Sequence, residues 1–256
     1  MYRLRRKLFS QNFLHNRALV SNLVRASSIN KKDLVLEIGP GKGIITEQLL
    51  KAAQYVIAVE IDTYWYNYLK EKFEQVENLT LYNYDFLNFN LPALPYKTFA
   101  NIPFAIEGQI IRKLIDAPNP PKDCYLVMMK ELAYRLSAPY KDNQFSIMHK
   151  PWLEFSIVHH FQAKDFIPIP NVKAVLLKIS QRKEPLLPFS EKKLYHKFIK
   201  TGFKFGLPVS KNLKKVYGYK ATLKGLIKAN AQRNDKPGYL KLNQWLKLYQ
   251  ELKTLN

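Results

Sequence analysis

Residues 34–43 read Leu-Val-Leu-Glu-Ile-Gly-Pro-Gly-Lys-Gly, and this stretch decides the fold. It is an apolar strand that runs into a glycine-rich turn, and residues 44–53 after it have apolar positions at helical spacing. Glycines let the backbone approach a ligand closely, and the N-terminus of the following helix favours negative charge. We therefore predict a strand–loop–helix unit that binds a ligand at Gly39, Gly41 and Gly43.

The spacing of the glycines restricts the kind of ligand. They follow a Gly-x-Gly-x-Gly pattern rather than the Gly-x-Gly-x-x-Gly pattern of dinucleotide folds. Glu37 precedes the turn, and its carboxylate would repel a dinucleotide pyrophosphate but attract an ammonium group. We therefore expect S-adenosylmethionine, whose methionine end carries an ammonium, and we disfavour a nicotinamide-dependent oxidoreductase.

Two further carboxylates follow the next two predicted strands. Glu60 ends the second strand, 21 residues after the first glycine of the turn, where a carboxylate can accept both hydroxyls of an adenosine ribose. Asp85 follows the third strand and can accept a hydrogen bond from the adenine amine of the same cofactor. Their neighbours Ile61 and Phe86 are predicted cofactor contacts as well. The alternative role for such acids is a helix N-cap, which suits Asp62 better than Glu60.

The first 180 residues alternate short β-rich runs with amphipathic stretches, which indicates βαβ units and a mostly parallel sheet. A later pair of β-like runs is predicted to lie antiparallel at one edge, and the proline-rich segment 166–170 between them is predicted to form neither regular structure. The fold class is therefore α/β, with a Rossmann-like sheet that binds ligands at the carboxyl ends of its strands. The predicted strands are Leu34–Ile38, Tyr55–Val59, Leu79–Tyr82, Thr98–Ile102, Cys124–Met129, Leu153–Phe161 and Ala174–Ser180, and the predicted helices lie near 44–53, 63–74 and 107–116.

The end of the chain differs in composition. Residues 181–256 hold 18 Lys and Arg against 4 Asp and Glu, and four short basic helices are predicted near 190–203, 208–216, 221–230 and 240–253. We place a boundary between a catalytic domain, 1–180, and a small all-α C-terminal domain, 181–256, that binds RNA. The residues predicted to contact phosphates are Lys211, Lys214, Lys215 and Lys220, with Arg3, Arg5, Arg6 and Lys7 near the start of the chain.

The tetrapeptide Asn101-Ile102-Pro103-Phe104 predicts the reaction. A site that methylates an adenine amine must accept hydrogen bonds from both amine protons and hold the face of the ring. Asn101 offers an uncharged carbonyl oxygen, and Pro103 stiffens the turn so that a main-chain carbonyl of Ile102 or Pro103 can be the second acceptor. Phe104 offers a flat surface for an unstacked base. The alternative is an ordinary Asn-x-Pro loop, which the neighbouring cofactor motifs make less attractive.

Bulk composition indicates the partner and the compartment. The net charge of +21 favours a polyanion, with nucleic acid ahead of a membrane. No apolar run approaches the roughly 18 residues of a spanning helix, and the basic start leads into polar residues, so we expect no signal peptide. The single cysteine, Cys124, fits a reducing cytoplasm, and the five histidines form no metal-binding spacing. We expect a cytoplasmic monomer with no metal site.

With these residues in place, the chain resembles the ribosomal RNA adenine N6-dimethyltransferases, and most of all their erythromycin-resistance (Erm) branch. The likeness runs through residues 9–180 and implies a class I methyltransferase fold. Residues 10–14, Ser-Gln-Asn-Phe-Leu, match the N-terminal cofactor motif of this family. The resemblance implies that Gln11, Asn12 and Leu14 lie near the cofactor, as we also predict for Asn101. It further implies that Phe166 lines the target-base pocket together with Phe104.

The resemblance implies methyl transfer from S-adenosylmethionine to N6 of an adenine in 23S ribosomal RNA, once or twice, with resistance to macrolides, lincosamides and streptogramin B. The Asn-Ile-Pro sequence and the small tail favour this large-subunit branch. One alternative is a small-subunit (16S) dimethyltransferase of ribosome assembly, which shares every motif. Another is a non-catalytic nucleic-acid-binding factor on the same scaffold, which the retained site residues argue against.

The chain differs from the usual sequence of this family at the last residue of the tetrapeptide and at the four residues that follow it. Phe104 stands where the family usually has Tyr, and residues 105–108, Ala-Ile-Glu-Gly, replace the usual Asn-Ile-Ser-Thr. Glu107 suits the first turn of a helix. We nevertheless expect that a carboxylate near the surface where RNA binds would oppose phosphate.

Overall fold

A seven-stranded sheet is the centre of the first of two units in the computed structural model. The structure describes residues 12–137 and 142–255. The first unit holds the residues up to Ala133 together with Ser156–Gln181, and the second holds Tyr134–Phe155 with the residues from Arg182 onward. The strands are β1 (Phe13–Leu14), β2 (Leu34–Ile38), β3 (Tyr55–Glu60), β4 (Leu79–Asn83), β5 (Tyr96–Asn101), β6 (Asp123–Met129), β7 (Leu153–His160), β8 (Phe166–Ile167) and β9 (Ala174–Gln181).

The strand order of the sheet is β4-β3-β2-β5-β6-β9-β7. The pairs β2–β3, β2–β5, β3–β4 and β5–β6 are parallel, whereas β9 runs antiparallel to β6. Central strands of a parallel sheet are covered on both faces, which explains the nearly continuous apolar runs of β2 and β6. The predicted α/β class, with a mostly parallel sheet and an antiparallel edge, is confirmed.

Helices of the first unit connect these strands. The side chain of Asn16 accepts a hydrogen bond from the Leu19 N–H and so caps the first helix, which is not among the predicted helices. The buried side chains between helices and sheet include Val20, Val24 and Leu49. The helices are α1 (Arg17–Ala26), α2 (Ile44–Ala52), α3 (Thr63–Lys72), α4 (Glu107–Asp116) and α5 (Lys130–Ser137), and the division between the units falls within α5.

A two-residue ladder joins β1 to β8, with Phe13 opposite Ile167 and Leu14 opposite Phe166. The prediction that segment 166–170 forms no regular structure was therefore wrong for its first two residues. The prolines begin only at Pro168, so the backbone of Phe166 and Ile167 can still pair. This ladder holds the start of the described chain against the first unit.

The second unit is helical over most of its described length and has its own core. Its helices are α6 (Gln144–His149), α7 (Lys192–Phe203), α8 (Val209–Tyr217), α9 (Tyr219–Lys228) and α10 (Leu242–Leu252). Trp245 and Tyr195 are fully buried, and Trp245 packs over Gly202, where a methyl group would come within 2.5 Å of the indole ring. The predicted boundary between residues 180 and 181 agrees with the division at Gln181 to within one residue, but Tyr134–Phe155 also belongs to the second unit.

No helix within residues 12–137 and 142–255 is long and apolar enough to cross a membrane.

Candidate active site

A cavity of about 360 Å³ opens at the carboxyl ends of the parallel strands of the first unit. This is the edge at which open α/β sheets bind ligands. The predicted site residues that line it are Asn12, Gly39, Glu60, Ile61, Asp85, Asn101, Ile102, Pro103 and Phe104. Phe13, Leu87, Ala105 and Ile106 also line the cavity and were not predicted, although each adjoins a predicted residue or lies two positions from one.

The three glycines of the turn have different surroundings. All have positive φ, and only Gly39 lines the cavity, with open space where a side chain would start. A methyl group on Gly41 would lie 2.6 Å from a ring carbon of Phe13, and one on Gly43 would lie 2.7 Å from Leu69. Close approach of backbone to ligand is therefore available at Gly39, whereas the other two glycines allow close packing within the protein.

Glu60 is buried at the end of β3 and connects that strand to the glycine turn. Its Oε2 accepts from the Gly41 N–H and its Oε1 from the Asp62 N–H, both at 2.9 Å. Burial raises the pKa of this carboxyl, while these two N–H groups oppose the rise. Each carboxylate oxygen can accept more than one hydrogen bond, so Glu60 can still receive the hydroxyls of a ribose in the cavity.

Glu37 does not reach the cavity. The side chain is 1% exposed at the end of β2, and it is not among the residues that line the cavity. Burial raises the pKa of the Glu37 carboxyl to about 8, and the nearby charge of Glu60 contributes to the rise. The predicted contact between a Glu37 carboxylate and a cofactor ammonium is therefore not available here, because the side chain is enclosed by the protein.

Asp85 lines the cavity and also caps a short 3-10 turn, Phe86–Asn88. Its Oδ1 accepts from the Leu87 N–H and its Oδ2 accepts from Asn88 Nδ2, both at 2.9 Å. The Phe86 side chain is buried and does not line the cavity, so its predicted cofactor contact is not made by the ring. These two hydrogen bonds hold the Asp85 carboxylate at the cavity wall. Its oxygens have further lone pairs that can accept a hydrogen bond from the adenine amine of the cofactor.

Asn101 is held by the segment that precedes β1. Its Nδ2 donates to the backbone oxygen of Asn12 at 2.6 Å, across 89 residues of sequence. An amide nitrogen only donates hydrogen bonds, so the carbonyl oxygen Oδ1 is the acceptor of this side chain. Leu14 is buried in the core and is not among the residues that line the cavity, so its cofactor contact stays a prediction. Gln11, Arg3, Arg5, Arg6 and Lys7 lie outside the described residues.

The turn after Asn101 forms part of the cavity wall. Ile102 lines the cavity although the residue is only 2% exposed. The Pro103 carbonyl accepts from the Ile106 N–H at 3.1 Å and closes a 3-10 turn, Phe104–Ile106. Of the two carbonyls predicted as a second acceptor, that of Ile102 is therefore the better candidate.

The two predicted base-pocket rings occupy different places. Phe104 lines the cavity and also packs against the hydrophobic core. Phe166 is 1% exposed, and its ring lies edge-on to Phe161 with centroids 5.4 Å apart. The prediction that Phe166 faces a target base is not supported, because its ring is inside the core.

Glu107 is buried rather than exposed at an RNA-binding surface. It is 4% exposed, and its Oε2 accepts from the Met129 N–H at 3.0 Å. The expected repulsion between this carboxylate and phosphate is therefore wrong, since the group is inside the protein. The sequence held no direct signal for this contact, which joins α4 to the end of β6.

The predicted phosphate-binding lysines of the second unit are exposed. Val209, Asn212 and Leu213 form the buried face of α8, and the lysines lie on its other positions and on α9. The ammonium of Lys215 lies 4.5 Å from the ring centroid of the half-exposed Phe205. The exposed lysines are Lys211, Lys214, Lys215 and Lys220. In the described part of the chain, no group of three or more His, Cys, Asp or Glu side chains could hold a metal ion.

Known proteins resemble this chain over most of its length. A family model described as ribosomal RNA adenine dimethylase matches residues 3–254. The ribosomal RNA small subunit methyltransferase A of Streptococcus sanguinis is 31% identical over 241 residues, which cover 89% of this chain and 83% of that protein. The protein of the same name from Acaryochloris marina is 34% identical over 211 residues, 77% of this chain and 78% of that protein.

Two solved structures resemble the fold of this chain. The crystal structure of the 23S rRNA methyltransferase ErmE has a TM-score of 0.86 and 26% identity, and the match covers 94% of this chain and all of that one. A dimethyladenosine transferase from Plasmodium falciparum has a TM-score of 0.77 and 24% identity, over 94% of this chain and 98% of that one. The second likeness supports the fold alone.

Proposed function

This chain belongs to the ribosomal RNA adenine dimethylase family, and on that basis we propose that its substrate is an adenine of small-subunit ribosomal RNA. As a family member it is an S-adenosylmethionine-dependent methyltransferase that acts on adenine in ribosomal RNA. The relatives that carry the name small subunit methyltransferase support the small-subunit substrate, with identities of 31% and 34% over most of both chains. They give no support to the antibiotic-resistance role expected from the Erm-like motifs.

The observation that carries the small-subunit proposal is the similarity to these named relatives. The hydrogen bond from Asn101 Nδ2 to the Asn12 carbonyl supports the reaction itself, methyl transfer to an adenine amine. Asn101 lines the cavity, and its Oδ1 can accept a hydrogen bond from the target amine. The Ile102 carbonyl lies in the same turn and can be the second acceptor. Two fixed acceptors can bind both protons of an adenine amine and so set the direction of its lone pair.

The chain's own residues then act mainly by alignment. S-adenosylmethionine, when bound, supplies a methyl group on a positively charged sulfur. Holding two reactants in a reactive geometry can reach effective molarities of about 10⁵ M or more. As the bond from nitrogen to the methyl carbon forms, the bond from that carbon to sulfur would break, and the nitrogen becomes acidic. Its proton can then pass to water without a strong base, and the turn itself offers only an amide. Phe104 offers the ring face on which the extruded adenine stacks.

The cavity fits the cofactor at three places. Gly39 leaves open space beside the backbone, which suits close approach of a ligand. Glu60 lines the wall with a carboxylate that can accept ribose hydroxyls, and Asp85 lines it with one that can accept from an adenine amine. We assign the ribose to Glu60 and the cofactor adenine to Asp85, with Asn12 and Ile61 completing the wall.

We also propose that the helical second unit binds ribosomal RNA through its exposed lysines, and that the reaction takes place in the cytoplasm during ribosome assembly. Residues 181–256 carry a balance of +14, which favours a polyanionic partner. The second candidate substrate is large-subunit RNA. The structural likeness to the 23S rRNA methyltransferase ErmE, with 26% identity, favours that candidate.

The test is methyl transfer from labelled S-adenosylmethionine to small-subunit particles, with protein-free large-subunit RNA in parallel. Reverse-transcription stops locate the modified base. The proposal predicts label at adenines of the small-subunit RNA. Label in large-subunit RNA alone would instead favour the second candidate, and cofactor binding without label in either would contradict both.

A control variant separates site chemistry from general damage. Asn67 is exposed on α3 and is not among the residues that line the cavity. Asn67→Ala should therefore label the same adenine at the wild-type rate, while Asn101→Ala should not label it.

A further inference from the structure

Glu107 occupies a special place directly after the turn that presents Asn101 and Ile102. It is the first residue of α4, its side chain is 4% exposed, and its Oε2 accepts from the Met129 N–H at 3.0 Å. Met129 is the last residue of β6, the neighbour of β5 in the sheet. The contact therefore joins the helix that follows the active-site turn to the strand beside that turn.

The register of β5 and β6 shows what this contact replaces. Asn101 lies opposite Val127, and the Ile102 N–H donates to the Val127 carbonyl at 3.2 Å. In a parallel ladder the next bond would run from the Met129 N–H to the Ile102 carbonyl. That bond is not formed, because the Met129 N–H donates to Glu107 instead. Within residues 12–137 and 142–255, the Ile102 carbonyl accepts no backbone hydrogen bond.

We propose that Glu107 is a positioning residue that keeps the Ile102 carbonyl available to the amine of the target adenine. It does so by accepting the Met129 N–H, which would otherwise bind that carbonyl. The inference rests on the proposed function, since it gives the Ile102 carbonyl the role of second acceptor. The Pro103 carbonyl is the weaker candidate, because it already accepts the Ile106 N–H.

The chemistry of the carboxylate suits this role. A side-chain oxygen of Glu107 accepts the Met129 N–H at 3.0 Å, so this N–H is not available to the Ile102 carbonyl. Glutamine keeps an acceptor oxygen at nearly the same reach, whereas leucine fills similar space without one. These two substitutions therefore test whether the side chain at position 107 must accept a hydrogen bond, because they keep its volume and its place in the helix nearly the same.

The experiment compares Glu107→Gln with Glu107→Leu in the full-length protein, with Glu74→Ala as an exposed-carboxylate control. We expect Glu107→Gln to keep kcat within about five-fold of wild type, because it retains the acceptor. Glu107→Leu should lose about 10²-fold in kcat, the size of effect that a small misplacement of a reacting group produces. KM for RNA and Kd for S-adenosylmethionine should change little in either variant, and Glu74→Ala should match wild type.

Two results would overturn the proposal. One is a Glu107→Leu variant that keeps the wild-type kcat, and the other is an equal loss of kcat in the Gln and Leu variants. Should Glu107→Leu fail to fold, Glu107→Met makes the same comparison, because its sulfur is only a weak acceptor.

A second readout depends on the protein alone. The NMR chemical shift of the Met129 amide proton should change much less in Glu107→Gln, where an oxygen still accepts this proton, than in Glu107→Leu, where none does. If the wild-type protein labels only large-subunit RNA, the proposed substrate fails and the kcat comparison is made on that RNA. If it labels neither RNA, the proposed function fails, and an unchanged Met129 shift in Glu107→Leu would overturn the inference separately.

Discussion

Alanine substitution at Gly39 and at Gly41 should separate the ligand-facing glycine from the packing glycine. Both residues have positive φ, +63° and +54°, a conformation that costs an alanine about 1–2 kcal/mol. At Gly41 the new methyl group would also lie 2.6 and 3.0 Å from two ring carbons of Phe13. Such overpacking typically costs about 1–3 kcal/mol more. We therefore expect Gly41→Ala to lower the free energy of unfolding by about 2–5 kcal/mol and Gly39→Ala by about 1–2 kcal/mol.

Cofactor affinity should give the opposite contrast. A methyl group on Gly39 meets no protein atom within 4 Å and enters the open space of the cavity. Gly39→Ala should therefore weaken S-adenosylmethionine binding by at least about ten-fold, or 1.4 kcal/mol, although the protein remains folded. Urea unfolding without ligand measures the first quantity and calorimetric titration the second. Equal destabilisation by both substitutions, or wild-type affinity in Gly39→Ala, would refute this account of the turn.

Three further predictions concern the ring, the buried carboxyl and the lysines. Phe104→Ala should raise the activation free energy of methyl transfer by about 1–3 kcal/mol, because the stacking of the base on the ring is lost. Phe104→Tyr should stay near wild type, and equal rate losses in the two variants would contradict a stacking role. The pKa of the Glu37 carboxyl is about 8 in the folded protein and about 4.5 in the unfolded chain. Between these pH values the folded protein holds the proton and the unfolded chain does not, so the wild-type free energy of unfolding falls as pH rises. Glu37→Gln removes this loss, and its stability relative to wild type should rise by about 1.4 kcal/mol per pH unit over that window in urea unfolding; a pH-independent difference would contradict the buried carboxyl. Alanine at Lys211 or Lys214 should reduce the slope of log RNA affinity against log salt concentration by about 0.7–0.9 for each lost phosphate contact. An unchanged slope in RNA-binding titrations would show that the lysine makes no phosphate contact.

The parallel sheet could be predicted because its signals are local. Leu34–Ile38 is a short apolar run that ends at glycine, and the strand begins and ends as predicted. The strand order brings Gly39, Glu60, Asp85 and Asn101 to one edge, since each follows or ends a parallel strand. The capping residue Asn16 and the apolar positions of α1 were also local signals, so that helix could have been predicted.

The rest of the site depends on contacts between distant segments. The bond from Asn101 to Asn12 spans 89 residues, and the ladder between Phe13 and Ile167 is only two residues long. Neither leaves a periodic pattern in the sequence. The burial of Phe166 and Glu107 likewise follows from packing, which residue type alone does not reveal.

The division of the chain shows the same limit. The composition changes near residue 181, and the helices of the basic tail were predicted from their amphipathic pattern. The segment 134–155 joins the second unit although its own composition gives no sign of it. Contacts with the tail core, such as those of Ile147 and Trp152, place it there.

The most direct test of the site is single-turnover methyl transfer by Asn101→Ala, measured together with its affinity for S-adenosylmethionine. Removal of the oriented acceptor should slow transfer by about 10²-fold or more. Cofactor affinity should fall by less than about ten-fold, because the one hydrogen bond lost to Asn12 is worth about 1 kcal/mol. Transfer at the wild-type rate, or a loss of activity explained entirely by lost cofactor binding, would contradict the role of Asn101 as the acceptor for the target amine.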